Sequence, residues 1–216
     1  MSPRIDTLFA TQDRFEEDTR HHTMQVLHDA GLYRHLLFRA PKSGSYWFEI
    51  LTWPGSLTIH GDMGTYTFSR LTDMFEFFGT GPINPDYWAQ KLASQSALGI
   101  KEFSETALNE VVMSHLADWS VELTEAEEGH LLAALRNALL RPELALNLHS
   151  SYEALATFIW TASGGKSYQF IDAWEYDLSA YTVHFLWCLR AITYGIRQYQ
   201  ANGGGNIPLK GEDQWQ

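Results

Sequence analysis

His60 and Asp62 lie two residues apart in SLTIHGDMGTYTF (Ser56 to Phe68), and no other pair here comes nearer to chemistry by type and spacing. An imidazole and a carboxylate on one face of an extended segment can share a proton or hold a metal ion. His28 or His35 from a neighbouring strand would complete such a site. The same stretch has a plainer use. Gly61 and Gly64 bracket Asp62-Met63, and glycine tolerates the positive φ of tight hairpin turns. A hairpin with His60 at a strand end is therefore the expected reading.

Other motifs are weaker. SGGKS (Ser163 to Ser167) has the end of a phosphate-binding loop, but Trp160 stands where the first glycine is required. The segment reads as a helix C-cap. No two of the 9 histidines have H-x-x-x-H or H-E-x-x-H spacing, so no helical zinc site is signalled. No G-x-S-x-G elbow is present. Cys188 lies four residues after His184, within reach on a helix, but its apolar surroundings read as those of an inert, buried thiol. Glu175 and Asp177 read as capping or ion-paired acids.

Charge is the strongest signal. The net charge is -11. Between Leu71 and His130 stand 11 acids and 2 bases, a balance of -9. Glu102, Glu105, Glu110, Asp118, Glu122, Glu125, Glu127 and Glu128 form its dense part, with Lys101 as the one base among them. Such a field repels nucleic acid and anionic membrane surfaces and attracts basic proteins. Carboxylates on adjacent helices can also imitate the phosphates of a duplex.

A single cysteine excludes an internal disulfide and points to a reducing compartment. No apolar run approaches a membrane span, and the N-terminus lacks the apolar core of a signal peptide. A soluble, cytoplasmic protein without cofactor or metal is expected.

The elements that must position these residues fall into two blocks. LYRHLLF, SYWFEILTW, SLTIH and TYTF have β-strand content and tight turns between them, with a short strand at Met24 to Leu27 and a turn at HDAG (His28 to Gly31). After Arg70 the periodicity becomes helical. Thr72 reads as an N-cap, and Asn84 with Pro85 starts a helix running through Ala93. Ser104 starts another. Thr124 with Glu127, and Ser150 with Glu153, read as capping boxes, the second helix stopping at Gly164-Gly165. Ser179 reads as the cap of a last helix, Ala180 to Ala201. The expected fold is α+β: an N-terminal antiparallel meander of about five strands packed against a C-terminal bundle of about six helices. One domain is expected over residues 1–205, strand-rich over 24–69 and helical over 71–202, with a disordered tail at 206–216.

The runs LHDAGLYRHLLFR, YWFEILTWPGSLTIHGDMGTYTFSRLTDMFEFF and FIDAWEYDLSAYTVHFLWCLRAITYGIRQY resemble short hypothetical proteins of bacteriophage and prophage genomes. The resemblance carries no catalytic residue or ligand. It implies a phage accessory protein in the bacterial cytoplasm. Together with the acidic window, this leads to the expectation of a non-enzymatic factor that binds a basic host protein, as an anti-CRISPR or anti-restriction protein does. A second reading is binding or hydrolysis of a small phosphorylated or nucleotide signal at a sheet site of Arg34, His60, Asp62, Tyr66 and Arg70. A third is a phage structural protein. Exposed aromatics would also suit a homodimer.

Overall fold

The computed structural model describes residues 4–79, 81–95, 97, 99–141 and 147–204, with side chains from Gln12 onward. The expected tail at 206–216 lies outside the described residues. Along the chain run α1 (Arg4–Thr19), β1 (Thr23–Ala30), β2 (Tyr33–Arg39), β3 (Phe48–Trp53), β4 (Ser56–Gly61) and β5 (Gly64–Ser69). Then come α2 (Met74–Gly79), α3 (Pro85–Ala89), β6 (Leu92–Gln95), β7 (Lys101–Phe103), α4 (Glu105–Ser120), α5 (Glu125–Leu139) and α6 (Leu148–Thr157). The hairpin strands β8 (Ile159–Thr161) and β9 (Ser167–Gln169), then β10 (Ser179–Tyr181) and α7 (Val183–Ala201), complete the fold. It is α+β, and it divides into two compact units: a helical unit, Lys101–Ala180, and a sheet unit made of the chain before and after it.

The sheet unit is a six-stranded antiparallel meander in the order β1-β2-β3-β4-β5-β6. Alternation puts Leu36, Phe38, Phe48, Ile50, Leu57 and Ile59 on one face, all 0–1% exposed. α7 lies against that face. A Cβ added to its Gly195 would stand 2.4 Å from the Ile50 side chain, so glycine is what lets the helix backbone come this close. Trp187 of α7 is fully buried, and its indole N–H donates to Asp18 at 3.0 Å.

One charged cluster sits at the edge of this core. Arg34 on β2 donates from both terminal nitrogens to Asp73, each at 2.9 Å. Its guanidinium lies over the Phe75 ring at 4.4 Å. Tyr199 of α7 donates to Asp29 of β1 at 2.8 Å. The Arg34 bonds hold the Asp73 carboxyl below its ordinary value, against a desolvation that would raise it.

The helical unit buries a leucine stripe from each of two helices: Leu108, Val112 and Leu116 on α4, and Leu131, Leu135 and Leu139 on α5. Leu155, Phe158, Phe170 and Leu178 close the cluster. Ser104 caps α4, accepting from the Ala107 N–H at 3.2 Å. Thr124 and Glu127 form the expected capping box of α5.

Several local expectations are corrected. His28 is not in a turn, because β1 continues to Ala30 and the turn falls at Gly31, φ 66°. The carboxylate of Asp73, and not Thr72, accepts from the Phe75 N–H ahead of α2. The Thr72 carbonyl is taken by the Gly55 N–H. α3 stops at Ala89, and β6 follows as a sixth strand. Asn147 with Ser150 replaces the pair Ser150 with Glu153 as the capping box of α6. That helix ends at Thr157, and Ile159 to Thr161 is β8. SGGKS is then the turn of the β8–β9 hairpin, where the Gly165 N–H bonds the Ala162 carbonyl. Thr182, and not Ser179, caps α7, since Ser179 to Tyr181 stay extended in β10.

Candidate functional site

β4 and β5 form the hairpin, with Gly61 directly opposite Gly64. A Cβ on Gly61 would lie 2.2 Å from the Trp47 carbonyl, so only glycine lets the strand pass there. Asp62 turns toward the segment before β3, where its carboxylate accepts from the Tyr46 N–H at 2.6 Å. Tyr46 has a left-handed φ of 59°, and this bond helps hold it there. His60 turns the other way, to Thr65 Oγ1 at 2.8 Å and the edge of Trp47. Asp62 and His60 thus serve separate contacts. Among the described residues no three His, Cys, Asp or Glu side chains are placed to hold a metal ion.

The wider sheet set is dispersed. Tyr66 is 0% exposed and faces the core, as does Arg34, which is bound to Asp73. Arg70 follows β5 at the far end of the hairpin from His60, about 17 Å away at ~3.4 Å per residue over five steps. His60 points away from the core. Alternation along the strands, and opposite hairpin ends, keep these five side chains from converging.

The acidic residues are placed differently. Glu127 is bound by Thr124 and by Ser163 of the β8–β9 turn, and these hydrogen bonds hold its carboxyl at about 2. Glu122 pairs with Lys166. Glu102, Glu105, Glu110, Asp118, Glu125 and Glu128 are exposed and have no hydrogen-bond or ion-pair partner among the described residues. Glu105, Glu125 and Glu128 also lie in the first turns of α4 and α5, where they favour the positive end of the helix dipole. Lys101 bonds Asp177 at 2.8 Å and, with Ser179, holds that carboxyl at about 2 despite its desolvation.

One feature of the helical unit has no motif. Trp174 is 68% exposed and Ile171 66% exposed, on either side of Asp172 and buried Ala173. Asp172 takes a left-handed φ of 51° and opens a 3-10 turn. The base of this turn is fixed. The Tyr176 hydroxyl lies 3.0 Å from His115 Nε2 and 3.1 Å from the Ile171 carbonyl, and Tyr152 donates to the Tyr176 carbonyl at 2.9 Å. Two large apolar side chains, Ile171 and Trp174, are thus presented on a preorganised loop that also carries Asp172 and Glu175. The sequence signal is AWEYD, an aromatic among acids with no helical or strand period.

Cys188 is inert. It is buried, its S–H faces the Met63 carbonyl at 3.6 Å, and burial pushes the thiol well up. His184 is exposed. No helix among the described residues is long and apolar enough to cross a membrane. The chain matches no family model, no curated protein and no solved structure.

Proposed function

We propose that this chain is a phage accessory protein whose helical unit binds a basic bacterial protein and inhibits or modulates it, as anti-CRISPR and anti-restriction factors do. One observation carries the reading: the charge is segregated by unit. Lys101–Ala180 holds 13 Asp and Glu against 4 Lys and Arg, a net -9, while the rest of the chain has 13 against 11, a net -2. The unpaired acids supply attraction and orientation at a distance. Trp174 and Ile171 supply the apolar anchor that acids alone lack, since interface energy concentrates in a few large buried side chains. The phage setting comes from the sequence resemblance.

The test is capture of partners from bacterial lysate on the tagged chain, at low salt and at about 1 M salt, where the screening length falls to ~3 Å. A basic nucleic-acid-binding or defence protein held at low salt, released at high salt and lost with Trp174→Ala is the expected result. Capture that is indifferent to both salt and Trp174 would contradict it.

A further inference from the structure

The outer face of the sheet, away from α7, carries a second constellation that owes nothing to the acidic unit. A β-bulge makes it. Val26 faces the core opposite Leu36, and unbroken alternation would send His28 to the same side. The register slips by one between Val26 and His28, so His28 stands opposite His35 and Asp29 opposite Arg34. The slip turns His28 outward and brings Asp29 to the core side, where Tyr199 bonds it.

From His28 one row of paired residues crosses all six strands: His35, Leu51, Thr58, Thr67 and Ser94. Five interstrand steps of ~4.8 Å make the row about 24 Å long. Beside it lies the row of the two rings. The β2–β3 register pairs Arg34 with Thr52, so one step further Tyr33 faces Trp53. These rings are 54% and 41% exposed, on adjacent strands and on the same side as His35 and Leu51. With His28 they border a shallow groove of about 410 Å³.

The groove is lined mainly by rings and Leu51, with the two imidazoles and the Tyr33 hydroxyl as its polar groups, and it is poor in free charge. Glu49 is bonded by His35 at 3.0 Å, and Arg34 is bound by Asp73 on the other face. The Thr58 and Thr67 hydroxyls bond each other at 2.9 Å. A phosphorylated ligand would find no free guanidinium among the lining residues. A flat, uncharged, hydroxyl-rich chain would find C–H faces matched by Tyr33 and Trp53, and hydroxyls matched by His28, His35 and the Tyr33 hydroxyl, with Thr58 and Thr67 further along the same row.

We infer that this face binds a neutral oligosaccharide, with Tyr33 and Trp53 as the stacking platform and His28 and His35 as hydrogen-bonding partners. A β-1,4-linked hexopyranose chain has the flat ribbon form that such a row suits. The site is independent of the proposed partner surface.

The full chain is titrated with cellohexaose and with chitohexaose, following tryptophan fluorescence and backbone amide NMR shifts, with adenosine as a comparison ligand. The expected result is saturable binding of at least one hexasaccharide, unchanged at about 1 M salt, with shifts on β1, β2 and β3 at the groove. Tyr33→Ala with Trp53→Ala should weaken it about tenfold or more while leaving the melting temperature in place, because both rings are exposed. Trp53→Phe should retain part of the affinity. Binding of neither sugar at millimolar concentration, shifts confined to other elements, full affinity in the double variant, or adenosine binding more tightly at the same amides would each overturn the inference. Loss of partner capture in the helical unit leaves this titration unaffected, so the two readings fail separately.

Discussion

The two units put their charged residues to opposite uses. In the sheet unit many charged groups are paired. Arg34 closes on Asp73, His35 on Glu49, Trp187 on Asp18, and Tyr181 on Asp86 at 2.8 Å. These bonds join elements distant in the chain. In the helical unit, among the described residues, the charged contacts that join distant elements are Lys101 with Asp177, Lys166 with Glu122, and Glu127 with Ser163. Glu102, Glu105, Glu110, Asp118, Glu125, Glu128, Asp172 and Glu175 face water, and the unit's stability rests on leucine packing and caps. Charge left unpaired at net -9 is a cost of self-repulsion that packing must offset, and a function in attracting a partner gives that cost a reason.

The comparison can be broken most forcefully in the sheet core. Phe38 is 0% exposed and stacks on Phe48 at 4.6 Å, so Phe38→Ala should cost about 3–5 kcal/mol, read by denaturant unfolding. Arg34→Ala comes next. The pair is partly buried, with side chains 12% and 21% exposed, and the change strands Asp73, so about 1–3 kcal/mol is expected. In the helical unit the largest polar loss is a cap. Thr124→Ala should cost about 1 kcal/mol.

Acid sharpens the contrast with smaller effects. His22 Nε2 lies 3.0 Å from the Tyr46 carbonyl, and Nδ1 is buried without a partner. A carbonyl only accepts, so Nε2 carries the proton. Burial lowers the His22 pKa, so the folded state prefers the neutral ring. Its contribution is complete above the unfolded value of about 6.5 and is lost as pH falls through the lower folded value. Asp73 follows the same sign further down, complete above about 3.9 and lost as pH falls through its depressed folded value. Melting temperatures between about pH 8 and pH 5 should therefore decline toward acid, and less so in His22→Gln. A flat profile in the wild type would contradict this. The smallest stability effect belongs to Glu110→Lys, Asp118→Lys, Glu125→Lys and Glu128→Lys together, which remove no bond: relief of the net -9 self-repulsion offsets the helix-dipole contribution lost at Glu125 and Glu128, so the melting temperature should stay about unchanged. Glu127 stays out of this set because it holds the α5 cap.

The sequence showed most where a pattern was long. Alternating apolar residues in β2 to β5, and the stripes of α4, α5 and α7, carry the α+β architecture in their periods. Short elements were illegible. LASQ and IWT have no more than four residues and one face too few to show a period, so β6 and β8 read as helix. Caps failed by proximity: Ser179 and Thr182 both precede α7, and only the pairing of β10 decides between them. For the site, the exposed acids were legible as a window and Glu127 as a cap, but not that Lys166 pairs with Glu122 or that Ser163 also binds Glu127. Trp174 was visible and its exposure was not. The slip at Leu27 was hidden because a bulge adds a residue without breaking local composition, and it decides which side of the sheet His28 serves.

The most direct test of the central claim is partner capture by the fourfold lysine variant beside the wild type, with melting curves on both. Equal melting temperatures are expected, with a basic partner on the wild type and none on the variant. A variant that melts normally and still captures the same partner at the same salt would contradict it.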